Sequence, residues 1–433
     1  MKGLIPENML ERGIIVLESQ LDPLRILFEQ RKIPEEGWSD PQIKFLLTVL
    51  SMMDTDKDTQ AARVGEREAR VASPLVSELA ADFCHGIGRS GEISAAQPKA
   101  PGASIMYNIV NTLASDSVRK FGAPNLKHAL LLPLPTGMSI GLTISAMRQM
   151  RKAKGKYVVY PRIDHKSPLK AIELIGLEPK IIEGELEGDA VIVPPERVEE
   201  AIDEETVAIL STTTFFPPRE PDDVKEIAKI AQEHDIPHVI NNAYGVQSRE
   251  IMKRIKSAID AGRVDAVVQS TDKNFLTPIG GAIVASPKQE TLDEISEQYA
   301  GRATAAPATQ FLAAILALGI KNYEKLRNEQ EENRGYLEEN LKKIAGEYGE
   351  RVLNVYNPIA CAVSLSKRDP QKVGGALYNL RVTGPRALGP TDYGSCCKKY
   401  PTAYITMNAA IGSRREDIEK AVQKLEETLK QVR

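Results

Sequence analysis

The chain has 433 residues, 42% of them hydrophobic, and a formal net charge of −3. That length and apolar content exclude a disordered chain and predict a large core shared between about two domains. The near-neutral balance excludes a uniformly basic nucleic-acid binder, so any polyanion would have to be held by local basic patches.

The opening MKGLIPENMLERG has no apolar signal core, which predicts a cytoplasmic protein. Residues 1–60 read as a helical extension: Met9 to Gln30 and then Pro41 to Met53 place apolar residues at helical spacing. After the arginine-rich GEREAR the pattern changes. From His128 onward seven apolar runs recur, HALLLPL, KYVVYPRI, PKIIEG, TVAILSTTTFF, PHVINNAYG, DAVVQS and GAIVAS. Helical stretches separate most of them, at Ile140 to Lys152, Asp222 to His234 and Gln247 to Ala261. Strands alternating with helices predict an α/β fold with a mostly parallel seven-stranded sheet. The last two runs are joined by a short loop, which allows the final strand to run antiparallel. A long charged helix from Gln310 to about Tyr348 leads into an α+β segment that ends in an amphipathic helix from Arg415 to Arg433. The expected domains are 1–60, 61–310 and 311–433. No repeat or low-complexity segment is present. The cysteines are Cys84, Cys361, Cys396 and Cys397. Only the last two are close, and adjacent cysteines suit neither a bridge nor a zinc tetrahedron.

Chemistry-bearing residues gather at the ends of the candidate strands, where α/β proteins place ligands. Lys273 follows DAVVQS, and an amine held there can bond to an aldehyde cofactor; a solvated surface lysine is the plain alternative. Thr136, Gly137, Met138 and Ser139 join HALLLPL to a helix and suit a phosphate at the helix N-terminus, or are an ordinary cap. Asn241 ends the strand PHVI ahead of Ala243 and Tyr244, where it could meet a flat ring or cap a strand. His165, in PRIDHKS, could stack on such a ring or be structural. A phosphate site, a ring stack, a ring-nitrogen partner and an amine together answer the needs of pyridoxal phosphate better than those of a nucleotide. The letters GIGRSG at Gly86 to Gly91 match a dinucleotide fingerprint, but they follow a helix and precede no amphipathic helix. The Rossmann reading fails on that context. The same segment carries Arg89, Ser90, Gln97 and Lys99, downstream of Arg67 and Arg70, a donor set suited to an anion or to a solvated basic loop.

At these residues the chain resembles one family. GERE-RVAS, HGIGRSG-IS--QPKA, PRID-KS, NNAYGVQS, DKNF--P-GGAI and GRA-A-P are similar to O-phosphoseryl-tRNA(Sec):selenocysteinyl-tRNA synthases, in the short form without a C-terminal tail. The likeness runs from about RKIPEEGW to the last helix. It implies a fold type I pyridoxal-phosphate transferase that converts phosphoseryl-tRNA(Sec) to selenocysteinyl-tRNA(Sec) with selenophosphate.

By that resemblance Lys273 holds the cofactor aldehyde, Asn241 faces the pyridine nitrogen where most fold type I enzymes have aspartate, and His165 takes the stacking position. Arg67 matches a position near the cofactor. Arg89, Ser90 and Gln97, in a phosphate loop at 86–99, grip the substrate phosphate. Arg302 and Lys166 join the substrate site, and Glu66 repels free carboxylates. Arg386 matches a contact to the tRNA acceptor end, whereas another such arginine falls on Asp260 here. The extension, with Arg12, Arg25, Arg31 and Lys32, serves tRNA binding or oligomerisation. The resemblance further implies a homotetramer with sites at dimer interfaces. Rival readings are an enzyme that puts sulfur on phosphoseryl-tRNA, a cysteine desulfurase or selenocysteine lyase using Cys396 or Cys397, and an inactive tRNA-binding module.

Overall fold

A computed structural model describes Met1 and residues 3–432; the expected helix end at Arg433 lies outside the described residues. Helix α1, Glu7–Gln30, buries only Leu24 and Leu27 near its C-terminal end, while Met9, Ile15, Val16 and Leu17 stay exposed. Helix α2, Asp40–Ser51, starts at a capping box made by Ser39 and Gln42 and packs Leu46 and Leu50 into the main core. After the short α3, Pro74–Leu79, comes α4, Pro101–Lys120, which sequence reading missed. Its buried residues run nearly all the way round, from Ala103 and Met106 to Leu113 and Val118, so it has no clear polar stripe to betray its period.

The large sheet follows in alternation with helices. The elements are β1 (His128–Leu132), α5 (Thr136–Arg151), β2 (Tyr157–Pro161), α6 (Lys166–Leu174) and β3 (Glu178–Ile182). A small hairpin of β4 (Glu185–Glu187) and β5 (Ala190–Ile192), also unforeseen, precedes α7 (Pro195–Glu200). Then come β6 (Thr206–Thr212), α8 (Val224–Glu233), β7 (His238–Asn241), α9 (Arg249–Ala261), β8 (Ala266–Ser270), α10 (Thr271–Phe275), β9 (Ala282–Ser286) and α11 (Gln289–Glu297). The seven strands lie in the order β1-β9-β8-β7-β6-β2-β3. Neighbours are parallel except at β9, which runs antiparallel to both β1 and β8. The link between β8 and β9 is too short for a crossover, so the last strand must turn back. The C-terminal ends of the other strands therefore share one edge.

Helix α12, Ala306–Glu347, breaks its helical geometry at Gly319, where the Trp38 N–H reaches Leu316 O (2.8 Å). Its second half packs with β10 (Ala360–Ser364), α13 (Pro370–Asn379), β11 (Arg386–Leu388), β12 (Tyr404–Asn408) and α14 (Arg415–Gln431). These elements build a second core around Leu341, Val363, Leu377, Ile405 and Leu425. No described helix is long and apolar enough to cross a membrane.

Candidate active site

A cavity of about 550 Å³ opens at the C-terminal edge of the sheet. Each of its walls comes from the end of a strand or the start of a helix. After β1, Pro135, Thr136 and Gly137 begin α5; after β2, Ile163, His165 and Ser167 begin α6. Thr214, Phe215 and Phe216 follow β6, Asn241, Ala243, Tyr244 and Gln247 come from β7 and beyond, and Ser270, Asp272 and Lys273 come from β8 and α10. Ile359, Asn408, Ala410 and Ile411, next to β10 and β12, close it from the C-terminal part of the chain.

Lys273 sits in the single turn of α10. Gln247 fixes that turn: its Nε2 donates to the Lys273 carbonyl (3.0 Å) while its Oε1 accepts from the Ile411 N–H (2.7 Å). One side chain thus ties the lysine-bearing turn to the C-terminal wall. The Lys273 Nζ lies 6.0 Å from the centre of the Tyr244 ring. The amine is open to cavity water but walled by protein, and this loss of hydration lowers its pKa, with Asp272 opposing the shift. The His165 pKa is also lowered, first by partial desolvation and then by Lys273 and Arg386. A neutral imidazole is the form that can lie against an electron-poor ring. Its ring meets Phe215 edge-on, 6.4 Å between centres.

The residues fit pyridoxal phosphate. Asn241 is buried, and its Oδ1 has no hydrogen-bond partner within the chain. An orphaned acceptor of that kind is costly unless a ligand answers it. Gly137 lies so close to α6 that a Cβ there would stand 2.0 Å from Ser167 Oγ. The first bond of α5 is made by the Ser139 N–H to Pro135 O (3.0 Å), so the amides before it are free to meet a phosphate. Ser139 is buried with an unpartnered Oγ, while the Met138 side chain turns away into a second hollow with Leu142, Tyr299 and Arg302.

The other expected residues fall elsewhere. Arg89 and Ser90 are exposed, Gln97 is half-buried, and none lines the lysine cavity. Their loop is stapled to the segment before α12: Ile87 pairs with Ala303, the Ile93 N–H reaches Ser296 O (3.2 Å), and Arg302 donates to the His85 carbonyl. Arg302 therefore joins this loop, and Lys99 ties the loop to the GEREAR segment through its ion pair with Glu68. Glu66 and Arg67 are exposed and face each other at 3.9 Å; Lys166, at the start of α6, is exposed as well. Arg386 sits over the Phe216 ring, 4.6 Å from its centre, and so borders the cavity. Asp260 is held by Lys256 (2.5 Å) one turn back on α9. Arg12, Arg25, Arg31 and Lys32 are exposed.

Cys396 and Cys397 are buried and do not line the cavity. Burial pushes the Cys396 thiol up to about 12 and raises that of Cys397 as well. A nucleophilic thiol needs the opposite environment, so the lyase reading loses its candidate. Residue-by-residue reading missed the cavity roles of Phe215, Phe216, Gln247 and Ile411. The apolar TFF run and the glutamine of NNAYGVQS were visible as letters, but only the fold turns them inward.

The family model for O-phosphoseryl-tRNA(Sec) selenium transferase, SepSecS, matches residues 53–430. The chain is 48% identical to the O-phosphoseryl-tRNA(Sec) selenium transferase of Methanopyrus kandleri and 47% identical to that of Methanocaldococcus jannaschii, covering 99% of each chain in both comparisons. A crystal structure of an archaeal O-phosphoseryl-tRNA(Sec) selenium transferase superposes with a TM-score of 0.95 at 47% identity, over 99% of both chains. A sphingosine-1-phosphate lyase of Burkholderia pseudomallei shares the fold at TM-score 0.63 and 14% identity, covering 100% of this chain and 92% of that one. These relations and the sheet order place the fold in the type I class of pyridoxal-phosphate enzymes.

Proposed function

We infer the function from one premise: this chain belongs to the O-phosphoseryl-tRNA(Sec) selenium transferase family. It is an enzyme that turns O-phosphoseryl-tRNA(Sec) into selenocysteinyl-tRNA(Sec), with pyridoxal phosphate as cofactor and selenophosphate as selenium donor. The observation that carries the reading is the partly desolvated Lys273 amine sharing one cavity with the orphaned Asn241 amide and the α5 N-terminus.

When bound, pyridoxal phosphate supplies an aldehyde that captures the substrate amine and a ring that withdraws electrons from Cα. The α5 amides at Thr136, Gly137 and Met138 and the Ser139 hydroxyl would hold its phosphate, His165 one ring face and Asn241 its nitrogen. Lys273 would take the Cα proton at Nζ. Its lowered pKa raises the fraction of neutral amine near pH 7, which is what a base at Cα requires. Asn241 is a neutral amide and stabilises a ring cation less than a carboxylate would. That would suit a reaction in which the phosphate departs promptly from Cβ.

Arg89, Ser90, Gln97 and Arg302 would stabilise charge on the departing phosphate, and a seryl ester without that phosphate would leave those donors unpaired. The loss of proton and phosphate leaves a double bond; the selenium of selenophosphate would add at Cβ as Cα regains a proton, and water would then cleave the Se–P bond and release the second phosphate. Glu66 would penalise free phosphoserine, whose carboxylate the tRNA ester lacks. Arg67 would stand near the cofactor, Lys166 near the substrate, and Arg386 against the acceptor end. The exposed cations of α1 add to tRNA binding in the cytoplasm. We further propose that a homo-oligomer, a tetramer by family resemblance, brings the loop at 86–99 of one protomer to the cavity of another.

The test is purified protein with phosphoseryl-tRNA(Sec) and either selenophosphate or thiophosphate, followed by analysis of the aminoacyl product. Selenocysteinyl ester from selenophosphate is expected. Cysteinyl ester alone would favour the sulfur-transferring alternative, and no product from either donor would sink the assignment.

A further inference from the structure

Asp164 stands beside His165 but takes no part in the mechanism above. It is 3% exposed, and its carboxylate is fully engaged. One oxygen accepts from Arg162 Nε (2.8 Å). The other accepts from Arg162 Nη2 (3.3 Å), from the Gly394 N–H (2.8 Å) and from the Cys396 N–H (2.9 Å). In return the Asp164 N–H donates to Cys396 Sγ (3.2 Å). The partners lie some 230 residues away in sequence, in the loop between β11 and β12. Two features show that this loop is held, not merely touched. Cys396 adopts a left-handed φ of 64°, which costs energy for any side chain other than glycine. Gly394, at φ 142°, packs its Cα against Arg386: a Cβ there would lie 3.0 Å from Arg386 Nη2 and 2.8 Å from Leu388 Cδ1.

A continuous path results. The Asp164 carboxylate holds Gly394, Gly394 backs the Arg386 guanidinium, and the guanidinium lies over Phe216 at the cavity edge. On its other side Asp164 is bonded through the chain to His165. We propose that Asp164 is a positioning residue that seats Arg386 against the cavity, so that the acceptor end of the tRNA and the ring contact at His165 are registered by one carboxylate. The inference rests on the reading of Arg386 as the acceptor-end contact.

The replacement Asp164→Asn keeps the shape but turns one acceptor oxygen into a donor. An NH2 must then face either Arg162 or the two loop N–H groups, and neither offers a lone pair. Two measurements follow. The first needs no substrate: labelling of Arg386 by phenylglyoxal, read by peptide mass spectrometry, with Arg12 as exposed control. Asp164→Asn should speed labelling at Arg386 about fivefold relative to Arg12, as a side chain released from its packing becomes accessible. The second is a double-mutant cycle with Arg386→Ala on the holoenzyme. Asp164→Asn alone should raise KM for phosphoseryl-tRNA(Sec) about tenfold with kcat changed by less than about threefold, and should add nothing in the Arg386→Ala background. Cys396→Ala, which keeps the N–H but removes the Sγ that accepts from the Asp164 N–H, should give a smaller KM rise of the same kind.

Unchanged labelling of Arg386 overturns the proposal, as does a KM effect that survives undiminished without Arg386. If the wild-type protein turns over no phosphoseryl-tRNA, the functional reading fails, while the labelling still decides whether Asp164 seats Arg386.

Discussion

The lysine cavity and the loop at 86–99 are built on opposite plans. The cavity gathers ends of β1, β2, β6, β7 and β8, and the backbone around Lys273 is fixed by Gln247, whose side chain is held in turn by the Ile411 N–H. The loop is just as ordered in its backbone, pinned at Ile87, Ile93 and Ser94 to the 296–303 segment, yet it turns Arg89 and Ser90 outward. One chain therefore gathers the residues proposed for the cofactor in one cavity and turns Arg89 and Ser90, proposed for the substrate phosphate, away from it. The two sets of residues are thus separable by mutation, and on the proposed function a neighbouring protomer would reunite them.

The largest expected effect is on the cavity side. Lys273→Ala should abolish the visible absorbance of bound pyridoxal phosphate and lower turnover by at least about 10³-fold, since both covalent attachment and proton transfer are lost. A retained absorbance band would break the assignment of the cavity. On the loop side, Arg89→Ala should lower kcat/KM about 10²-fold while that absorbance stays unchanged. Mixing sharpens the contrast. If the loop serves a neighbour's cavity, co-assembly of Lys273→Ala with Arg89→Ala protomers should restore about a quarter of wild-type activity, from the hybrid sites that are intact. Activity no higher than the sum of the two parents would mean that each loop serves its own chain.

A smaller effect comes from Gly137→Ala. The added Cβ would collide with Ser167 Oγ, so α5 and α6 must part where the phosphate is expected to sit. Equilibrium dialysis with pyridoxal phosphate should show affinity reduced about tenfold. The smallest effect is on stability of the cofactor-free protein. The native pKa of Lys273 is depressed below the ordinary ~10.4. Below the native value the amine is charged in both states, and the folded chain bears the full cost of holding it. Between the native value and ~10.4 the unfolded chain binds more protons, so stability rises with pH. Lys273→Met should therefore raise Tm slightly at pH 7, with the gain fading as pH climbs through that window. A gain that grows with pH would contradict the depressed pKa.

Much of the cavity was legible because strand ends announce themselves. Lys273, Asn241, His165 and Gly137 each follow an apolar run, and the parallel sheet carries such positions to one edge. What stayed hidden depends on packing between distant segments. Helix α4 is buried on most of its surface, so its pattern lacks a polar stripe. Phe215 and Phe216 read as strand-end apolar residues until the Arg386 guanidinium is found over one of them. Asp164 is one letter of a motif until the loop at 394–396 folds onto it. Cys396 and Cys397 look available in sequence, but the fold buries both thiols.

On the proposed function, the Lys273 cavity and the Arg89 loop together act on a phosphorylated seryl ester of tRNA. Single-turnover assays with phosphoseryl-tRNA(Sec), seryl-tRNA(Sec) and selenophosphate test it most directly. Selenocysteinyl-tRNA(Sec) and released phosphate are expected from the first substrate, and from the second at least about 10³-fold less product, because its site donors find no partner. Equal turnover of the two esters would contradict it.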